Sequence, residues 1–175
     1  MYTLIVYAMA DFFPGTHIYI AEYRCDCCGK LPPDFYIKVN GKPYINPTYQ
    51  LLFYQYEKLI KEYGERIPIG RGYSCTKKQL YIYLNGILMK YGEKWRDKIV
   101  DILNDKTMTP FSVHPFGLAL DVGNERFDLA KIASILKRFK PKPRIGSSYK
   151  SHVHFDHGWK VTPRYSGKLR EGAKW

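Results

Sequence analysis

Residues 117–122 read Gly-Leu-Ala-Leu-Asp-Val and alternate small or acidic side chains with aliphatic ones. Because successive side chains of a β-strand point to opposite faces, this alternation predicts a strand with one apolar face. Asp121 is expected on the other face, together with Gly117 and Ala119, whose small size leaves space above the carboxylate. We therefore interpret the stretch as a core strand whose polar face carries a single acidic side chain.

Residues 152–156, His-Val-His-Phe-Asp, repeat the alternation and contain two of the five histidines of the chain. His152, His154 and Asp156 are expected on one face of a second strand, while the two apolar residues between them pack into the core. The sequence therefore predicts a strand with a polar face rich in histidine.

The two predicted strands together indicate a metal site. If they pair, Asp121 and His154 become neighbours, and His114, on the turn that precedes the first strand, can reach over both. Two imidazoles and one carboxylate leave the fourth position of a tetrahedral zinc ion open, which is typical of a catalytic site. The sequence therefore predicts Zn²⁺ bound by His114, Asp121 and His154.

Turn and helix signals along the rest of the chain indicate an α+β fold. Asn40-Gly41 predicts a type I′ hairpin within residues 35–45, and Asn46-Pro47 opens a helix that ends near Gly64. We predict one domain over residues 1–175, with a small, mostly antiparallel sheet flanked by helices. The other expected elements are a short strand within residues 66–73 and helices from Thr76 to Gly92, around Trp95, Ile99, Ile102 and Leu103, and from Asp128 to Phe139.

The charge of the chain is strongly positive. Its 28 basic and 16 acidic residues give a net charge of +12, which attracts nucleic acid, anionic lipid or the anionic polymers of a bacterial wall. No stretch approaches the ~20 apolar residues that span a membrane. The apolar first residues lack the basic region of a secretion signal. We therefore expect a protein made in the cytoplasm that reaches an extracellular target by export or release.

Four cysteines occupy positions 25, 27, 28 and 75. Cys25, Cys27 and Cys28 could supply thiolates to a structural zinc ion, with Cys75 as a distant fourth ligand. Reduced cysteines beside a loop are an equal alternative, and a disulfide is a third if the protein works outside the cell.

Two of these motifs resemble a known family. Residues 112–121, Ser-Val-His-Pro-Phe-Gly-Leu-Ala-Leu-Asp, are similar to the S-x-H-x-x-G-x-A-x-D motif of the zinc D-Ala-D-Ala carboxypeptidases and related phage endolysin peptidases. His152-Val-His154 resembles the second half of the signature of the superfamily that also contains lysostaphin-type endopeptidases and the Hedgehog signalling domain. The resemblance implies that His114, Asp121 and His154 bind zinc and that His152 assists catalysis.

Less specific similarities extend the resemblance over about residues 20–175. Residues 21–29 resemble the s-E-F-x-C-x-C opening of the phage-type branch, and Ile69-Gly-Arg-Gly-Tyr73 resembles its I-x-S-G-Y-R strand. His154-Phe-Asp156 and the terminal Lys174-Trp175 are similar to the end of that branch. Tyr73 and Ser112 belong to these motifs and are expected to line the substrate site, with Ser112 also bonded to the turn around His114.

The chain departs from the family pattern at two positions. Ser151 stands where the carboxypeptidases have a glutamate general base, so we expect His152 to act as the base, with Asp156 as the second candidate. Ser74 stands where the family has the arginine of Gly-Tyr-Arg. Arg71 could replace that arginine if the turn presents it on the same side.

The resemblance implies a zinc peptidase acting on bacterial peptidoglycan, either an endolysin-like endopeptidase or a D-Ala-D-Ala carboxypeptidase. We expect the protein to be a monomer. The missing arginine favours an endopeptidase, since a free terminal carboxylate is usually recognised by a placed guanidinium. An alternative is an inactive zinc-binding interaction module, as in the Hedgehog domain. A basic nucleic-acid binder is the third hypothesis, and no recognised motif supports it.

Overall fold

A computed structural model describes residues 12–97 and 112–158. The elements in chain order are α1 (Ile20–Tyr23), β1 (Tyr36–Val39), β2 (Lys42–Ile45), α2 (Pro47–Tyr63), β3 (Ile69–Arg71), α3 (Thr76–Tyr91), a 3-10 helix (Gly92–Arg96), a 3-10 turn (His114–Phe116), β4 (Ala119–Val122), α4 (Leu129–Lys137), β5 (Arg144–Gly146) and β6 (Val153–Asp156). Helices and small antiparallel sheets share one domain, which confirms the α+β prediction. Within the described residues, no helix combines the length and apolar character needed to cross a membrane.

A four-stranded antiparallel sheet of order β3-β4-β6-β5 forms the centre of the fold. The predicted pairing of the two motif strands is confirmed, and its register places Asp121 of β4 directly opposite His154 of β6. β3 pairs with the outer side of β4, so Arg71 also lies opposite Asp121. The sheet thus brings three polar side chains from separate strands to one place.

The α2 helix supplies much of the core beside this sheet. Asn46 caps its start, because the side chain accepts the N–H of Thr48 while Pro47 occupies the first turn. Gly64 ends it with φ 103°, a left-handed conformation that costs glycine little. The apolar face of α2 packs with α4, and the two helices bury Tyr49, Leu52, Phe53, Tyr56, Leu59, Ile132, Ile135 and Leu136.

The β1–β2 hairpin agrees with the prediction from its turn. Asn40 and Gly41 have φ values of 51° and 76°, which are the two positive angles of a type I′ turn. The register pairs Val39 with Lys42 across a two-residue loop. The hairpin is largely exposed and forms a separate two-stranded sheet.

Three predictions differ from the structure in detail. The helix expected around Trp95 begins as a 3-10 helix over Gly92–Arg96, and its other predicted residues, Ile99, Ile102 and Leu103, lie outside the described part of the chain. α4 ends at Lys137 rather than Phe139, although Phe139 remains buried. The three-residue strand β5 was not predicted, because Arg144–Gly146 is too short to show an alternation.

Candidate metal centre

His114, Asp121 and His154 converge as predicted, and their candidate ligand atoms all lie within 4.8 Å of one another. Nε2 of His114 lies 3.3 Å from Oδ1 of Asp121 and 3.2 Å from Nδ1 of His154. Nδ1 of His154 lies 2.7 Å from the same carboxylate oxygen. Tetrahedral zinc with bonds of 2.0–2.1 Å separates its ligand atoms by about 3.3 Å, so only the shortest of these distances must lengthen.

The turn before β4 presents His114 to the sheet. Gly117 ends this turn with φ 67°, and its N–H donates to the carbonyl of His114. A Cβ at Gly117 would lie 2.5 Å from Pro32 and 2.8 Å from the hydroxyl of Tyr23, so only glycine fits there. The Tyr23 hydroxyl donates to the Gly117 carbonyl, which ties the turn to α1.

The ring of His114 is oriented by a backbone carbonyl. Nδ1 lies 2.5 Å from the carbonyl oxygen of Gly72 and donates to it, so Nε2 is the nitrogen directed at Asp121. Ser112 supports the same turn, since its Oγ accepts the N–H of His114 at 3.3 Å. The hydrogen bond expected of Ser112 is therefore present. His114 is fully buried, and burial lowers the pKa of its imidazole.

The ring of His154 is oriented from the opposite side by Asp156. Nε2 of His154 donates to Oδ2 of Asp156 at 2.9 Å, which leaves Nδ1 facing Asp121. Arg144 donates to both oxygens of Asp156 at 2.8 and 2.9 Å, and the N–H of Gly158 donates at 2.8 Å. Asp156 is fully buried, which suits an orienting residue better than the general base that was its alternative role.

Arg144 is the site residue that sequence reasoning missed. Its side chain is 2 % exposed and pairs with a carboxylate that is 0 % exposed. A buried arginine is stable only with such a partner, but its strand is three residues long and shows no pattern. Arg144 meets Asp156 because β5 pairs with β6, and the sequence did not reveal that pairing.

The electrostatics of the centre favour a cation between the three ligands. Burial raises the pKa of Asp121, but hydrogen bonds from His114 and His154 outweigh it and hold that pKa well below its usual range. Burial lowers the pKa of His154, yet the hydrogen bonds to Asp121 and Asp156 outweigh it and raise that pKa to about 9. Without a metal, a proton on His154 lies between Asp121 and Asp156, each of which also accepts a hydrogen bond from an arginine. The donor set therefore fits a divalent metal that takes the place of this proton.

His152 and Arg71 lie beside the centre, as the sequence predicted. Nε2 of His152 is 3.7 Å from Oδ1 of Asp121, and its ring stacks on Tyr149 with centroids 4.5 Å apart. The His152 side chain is 23 % exposed, so it forms part of the solvent-facing side of the centre. Nε of Arg71 donates to Oδ2 of Asp121 at 2.8 Å.

The structure places Tyr73 beside the cysteines. Tyr73 lines a cavity with Cys27, Cys28 and Cys75, and its backbone N–H donates to the carbonyl of Tyr23. Burial raises the pKa of Tyr73, and the nearby cysteines raise it further. Its expected role in substrate binding therefore stays a prediction without a described contact to the His–Asp cluster.

The two remaining histidines have partners elsewhere. His157 is buried in the core with Nε2 3.0 Å from Oε1 of Gln55 on α2. His17 is exposed and pairs with Glu57 at 2.7 Å.

Compared with family models, with curated proteins and with solved structures, the chain shows no significant match. The family resemblance of its motifs therefore stays a prediction.

Proposed function

We propose that this protein is a zinc-dependent peptidase that hydrolyses peptide bonds of bacterial peptidoglycan. The observation that carries the proposal is the convergence of His114, Asp121 and His154, with His152 on the accessible side of the same cluster. Two imidazoles and one carboxylate leave a zinc position open, which is the arrangement of hydrolytic rather than structural sites. The resemblance of the two histidine motifs to cell-wall peptidases supports the choice of substrate.

The two histidine ligands are oriented for this task by hydrogen bonds from their second ring nitrogens. Gly72 fixes the ring of His114, and Asp156 fixes the ring of His154. Zinc in such a site supplies Lewis acidity, which activates water and polarises a peptide carbonyl.

His152 is the proposed general base. Burial lowers the pKa of its imidazole, which favours the neutral ring that can accept a proton. Oγ of Ser151 lies 3.0 Å from Nδ1, which leaves Nε2 on the side of Asp121. Ser151 is thus a neighbour that positions His152, at the place where the carboxypeptidases that the motifs resemble carry a glutamate.

Arg71 supplies positive charge near the reacting carbonyl. Its guanidinium is 29 % exposed and uses Nε to contact Asp121, so its terminal nitrogens are the part that can face a substrate. A guanidinium in that position stabilises negative charge that develops on the carbonyl oxygen. We favour an endopeptidase over a carboxypeptidase, because Ser74 stands where an arginine would hold a free terminal carboxylate.

The net charge of +12 supports a polyanionic target for the whole chain. We propose that the anionic polymers of the wall concentrate the protein near its substrate after export or release. An inactive zinc-binding module is the second candidate, because Ser151 replaces the glutamate of the catalytic pattern.

Mass spectrometry of purified muropeptides after incubation with the protein tests the proposal and identifies the bond that is cut. We expect cleavage products with wild type and none with His154→Ala. Zinc binding without any cleavage of muropeptides or whole walls would favour the interaction module.

A further inference from the structure

A second group of potential metal ligands lies outside the centre described above. Cys25, Cys28 and Cys75 bring their sulfur atoms within 4.8 Å of one another. Cys25 is buried after α1, whereas Cys75 is the residue that precedes α3. None of these thiols has a part in the proposed hydrolysis, so their convergence calls for a separate explanation.

The Cys25 and Cys28 thiols come from one tight turn. Gly29 donates its N–H to the carbonyl of Cys25 at 2.7 Å, and Cys25 donates its own N–H to the carbonyl of Lys30 at 3.0 Å. Gly29 adopts φ 67°, so the chain reverses immediately after the second cysteine. A C-x₂-C pair on a turn is the usual way in which a short segment provides two ligands to zinc.

Cys75 completes the group from a distant part of the chain. It is 50 residues from Cys25, and its backbone N–H donates to the sulfur of Cys25 at 3.3 Å. The backbone N–H of Lys78, followed by the thiols of Cys25, Cys28 and Cys27, lies near enough to the sulfur to lower the pKa of Cys75 to about 7. Cys75 is therefore suited to carry thiolate, the form that binds metal, whereas the pKa values of Cys27 and Cys28 are raised in the metal-free protein.

Cys27 lies near the other three cysteines. Its thiol lies near enough to Cys75 and Cys25 for both to raise its pKa, and it lines the same cavity as Cys75. All four cysteines are free thiols in the structure. Lys30 and Lys77 line the adjoining cavity with Cys27 and Cys28, and their positive charges offset the negative charge of a thiolate group.

We infer that Cys25, Cys28 and Cys75 bind a structural zinc ion, with Cys27 as the fourth ligand. Zinc with four sulfur ligands at 2.3 Å separates the sulfur atoms by about 3.8 Å, which is compatible with a group already within 4.8 Å. Four protein ligands close the coordination sphere, so this ion has a structural role and does not contact substrate.

The cysteine site adjoins residues 72–75, the segment whose backbone orients His114. Between Gly72 and Cys75, the Gly72 carbonyl accepts from His114 and the Ser74 N–H donates to the carbonyl of His114. Gly72 also packs against Tyr23, where a Cβ would lie 2.5 Å from the ring. A zinc ion that joins Cys75 to the turn at Cys25 therefore stabilises both ends of this segment.

Metal analysis of the full chain, purified under reducing conditions, tests the inference. We expect about two zinc ions per chain in wild type and about one in a His114→Ala/His154→Ala protein, since the sulfur site remains. Adding Cys28→Ser or Cys75→Ser to that protein should remove most of the remaining zinc. Asp26→Ala, an exposed residue of the same turn, is the matched control and should keep it.

Cobalt substitution shows which atoms bind. The His114→Ala/His154→Ala protein loaded with Co²⁺ should show an intense thiolate-to-cobalt charge-transfer band, which Cys28→Ser abolishes and Cys27→Ser weakens. If this band is absent although titration shows four reduced thiols, the cysteines do not bind the metal. Zinc that persists in both the Cys28→Ser and the Cys75→Ser variants would likewise contradict the site. An unchanged band in Cys27→Ser would show that Cys27 is not the fourth ligand. These readouts do not depend on hydrolysis, so failure of the peptidase proposal leaves the test intact.

Discussion

Asp156 accepts the Nε2 proton of His154, two residues earlier on the same face of β6, at a distance of 2.9 Å. This bond determines which nitrogen of His154 faces Asp121 and the metal position. Because Arg144 and Gly158 occupy the other lone pairs of Asp156, the carboxylate cannot turn away from the ring. The centre thus has a rigid support that extends from β5 to β6.

The buried Arg144–Asp156 pair should affect the stability of the fold and the affinity for zinc separately. Arg144→Met leaves Asp156 buried without its cation and should lower the free energy of unfolding by about 3–5 kcal/mol. A double Arg144→Met/Asp156→Leu protein should regain most of that loss, since apolar residues replace the buried pair. Its zinc affinity should remain about 10–100-fold weaker, because His154 has lost its orienting partner.

Denaturant unfolding and zinc competition with a chelator measure the two effects. Wild-type zinc affinity in the double variant would show that Asp156 does not position His154.

Metal content tests the ligand assignment. His114→Ala, Asp121→Ala and His154→Ala should each remove about one zinc ion per chain, because two remaining ligands hold zinc poorly. His17→Ala is the control, since His17 is exposed and pairs with Glu57 away from the centre. Elemental analysis of the dialysed proteins is the measurement, and a full complement in His154→Ala would contradict the assignment.

The role of His152 can be separated from metal binding. His152→Ala should keep its zinc and its fold but lose about 10²–10⁴ in the rate of muropeptide cleavage, the usual contribution of a positioned acid or base. Lys150→Ala, an exposed neighbour on the same loop, should retain the wild-type rate. An unchanged rate in His152→Ala would assign the proton transfer to another group.

Zinc affinity at the first centre should rise with pH. The pKa of His154 is raised to about 9 in the metal-free protein, so below that pH zinc must displace a proton from Nδ1. The dissociation constant should therefore fall about tenfold per pH unit near neutrality, with about one proton released. Calorimetry in buffers of different ionisation enthalpy measures the proton, and His154→Ala separates it from protons released by cysteines. A pH-independent affinity would mean that the ring is already neutral.

Salt should affect whole walls more than small substrates. The net charge of +12 is attracted to wall polymers, and exposed charges are screened over about 10 Å at 0.1 M salt. Turbidity loss of isolated walls should fall steeply with salt, while cleavage of a short soluble muropeptide changes little. Lys137→Gln/Lys140→Gln, which removes two exposed charges at the end of α4, should lower wall lysis in the same selective way. Equal salt sensitivity for both substrates would contradict long-range attraction.

The sequence alone determined the strands that carry Asp121 and His154, two of the three candidate metal ligands, and the faces on which these side chains lie. Alternation along residues 117–122 and 152–156 is a local property of each segment, and the burial of the apolar face then allows only one register of side chains. The approach of Asp121, His154 and His114 to one another was expected on the condition that the two strands pair, and both the pairing and the approach are present in the structure. Likewise, Asn40-Gly41 predicts a hairpin turn and Asn46-Pro47 predicts a helix start from local conformational preferences alone, and both are present in the structure.

Only the tertiary structure decided which partners support these ligands. Arg144 reaches Asp156, and Cys75 reaches Cys25, because packing brings separate segments together, and no periodic pattern marks such pairs. The same limit applies to Tyr73, which a motif assigned to the substrate and which the fold places beside the cysteines. Local alternation determines the direction of a side chain, whereas its neighbours depend on how the whole chain buries its apolar surface.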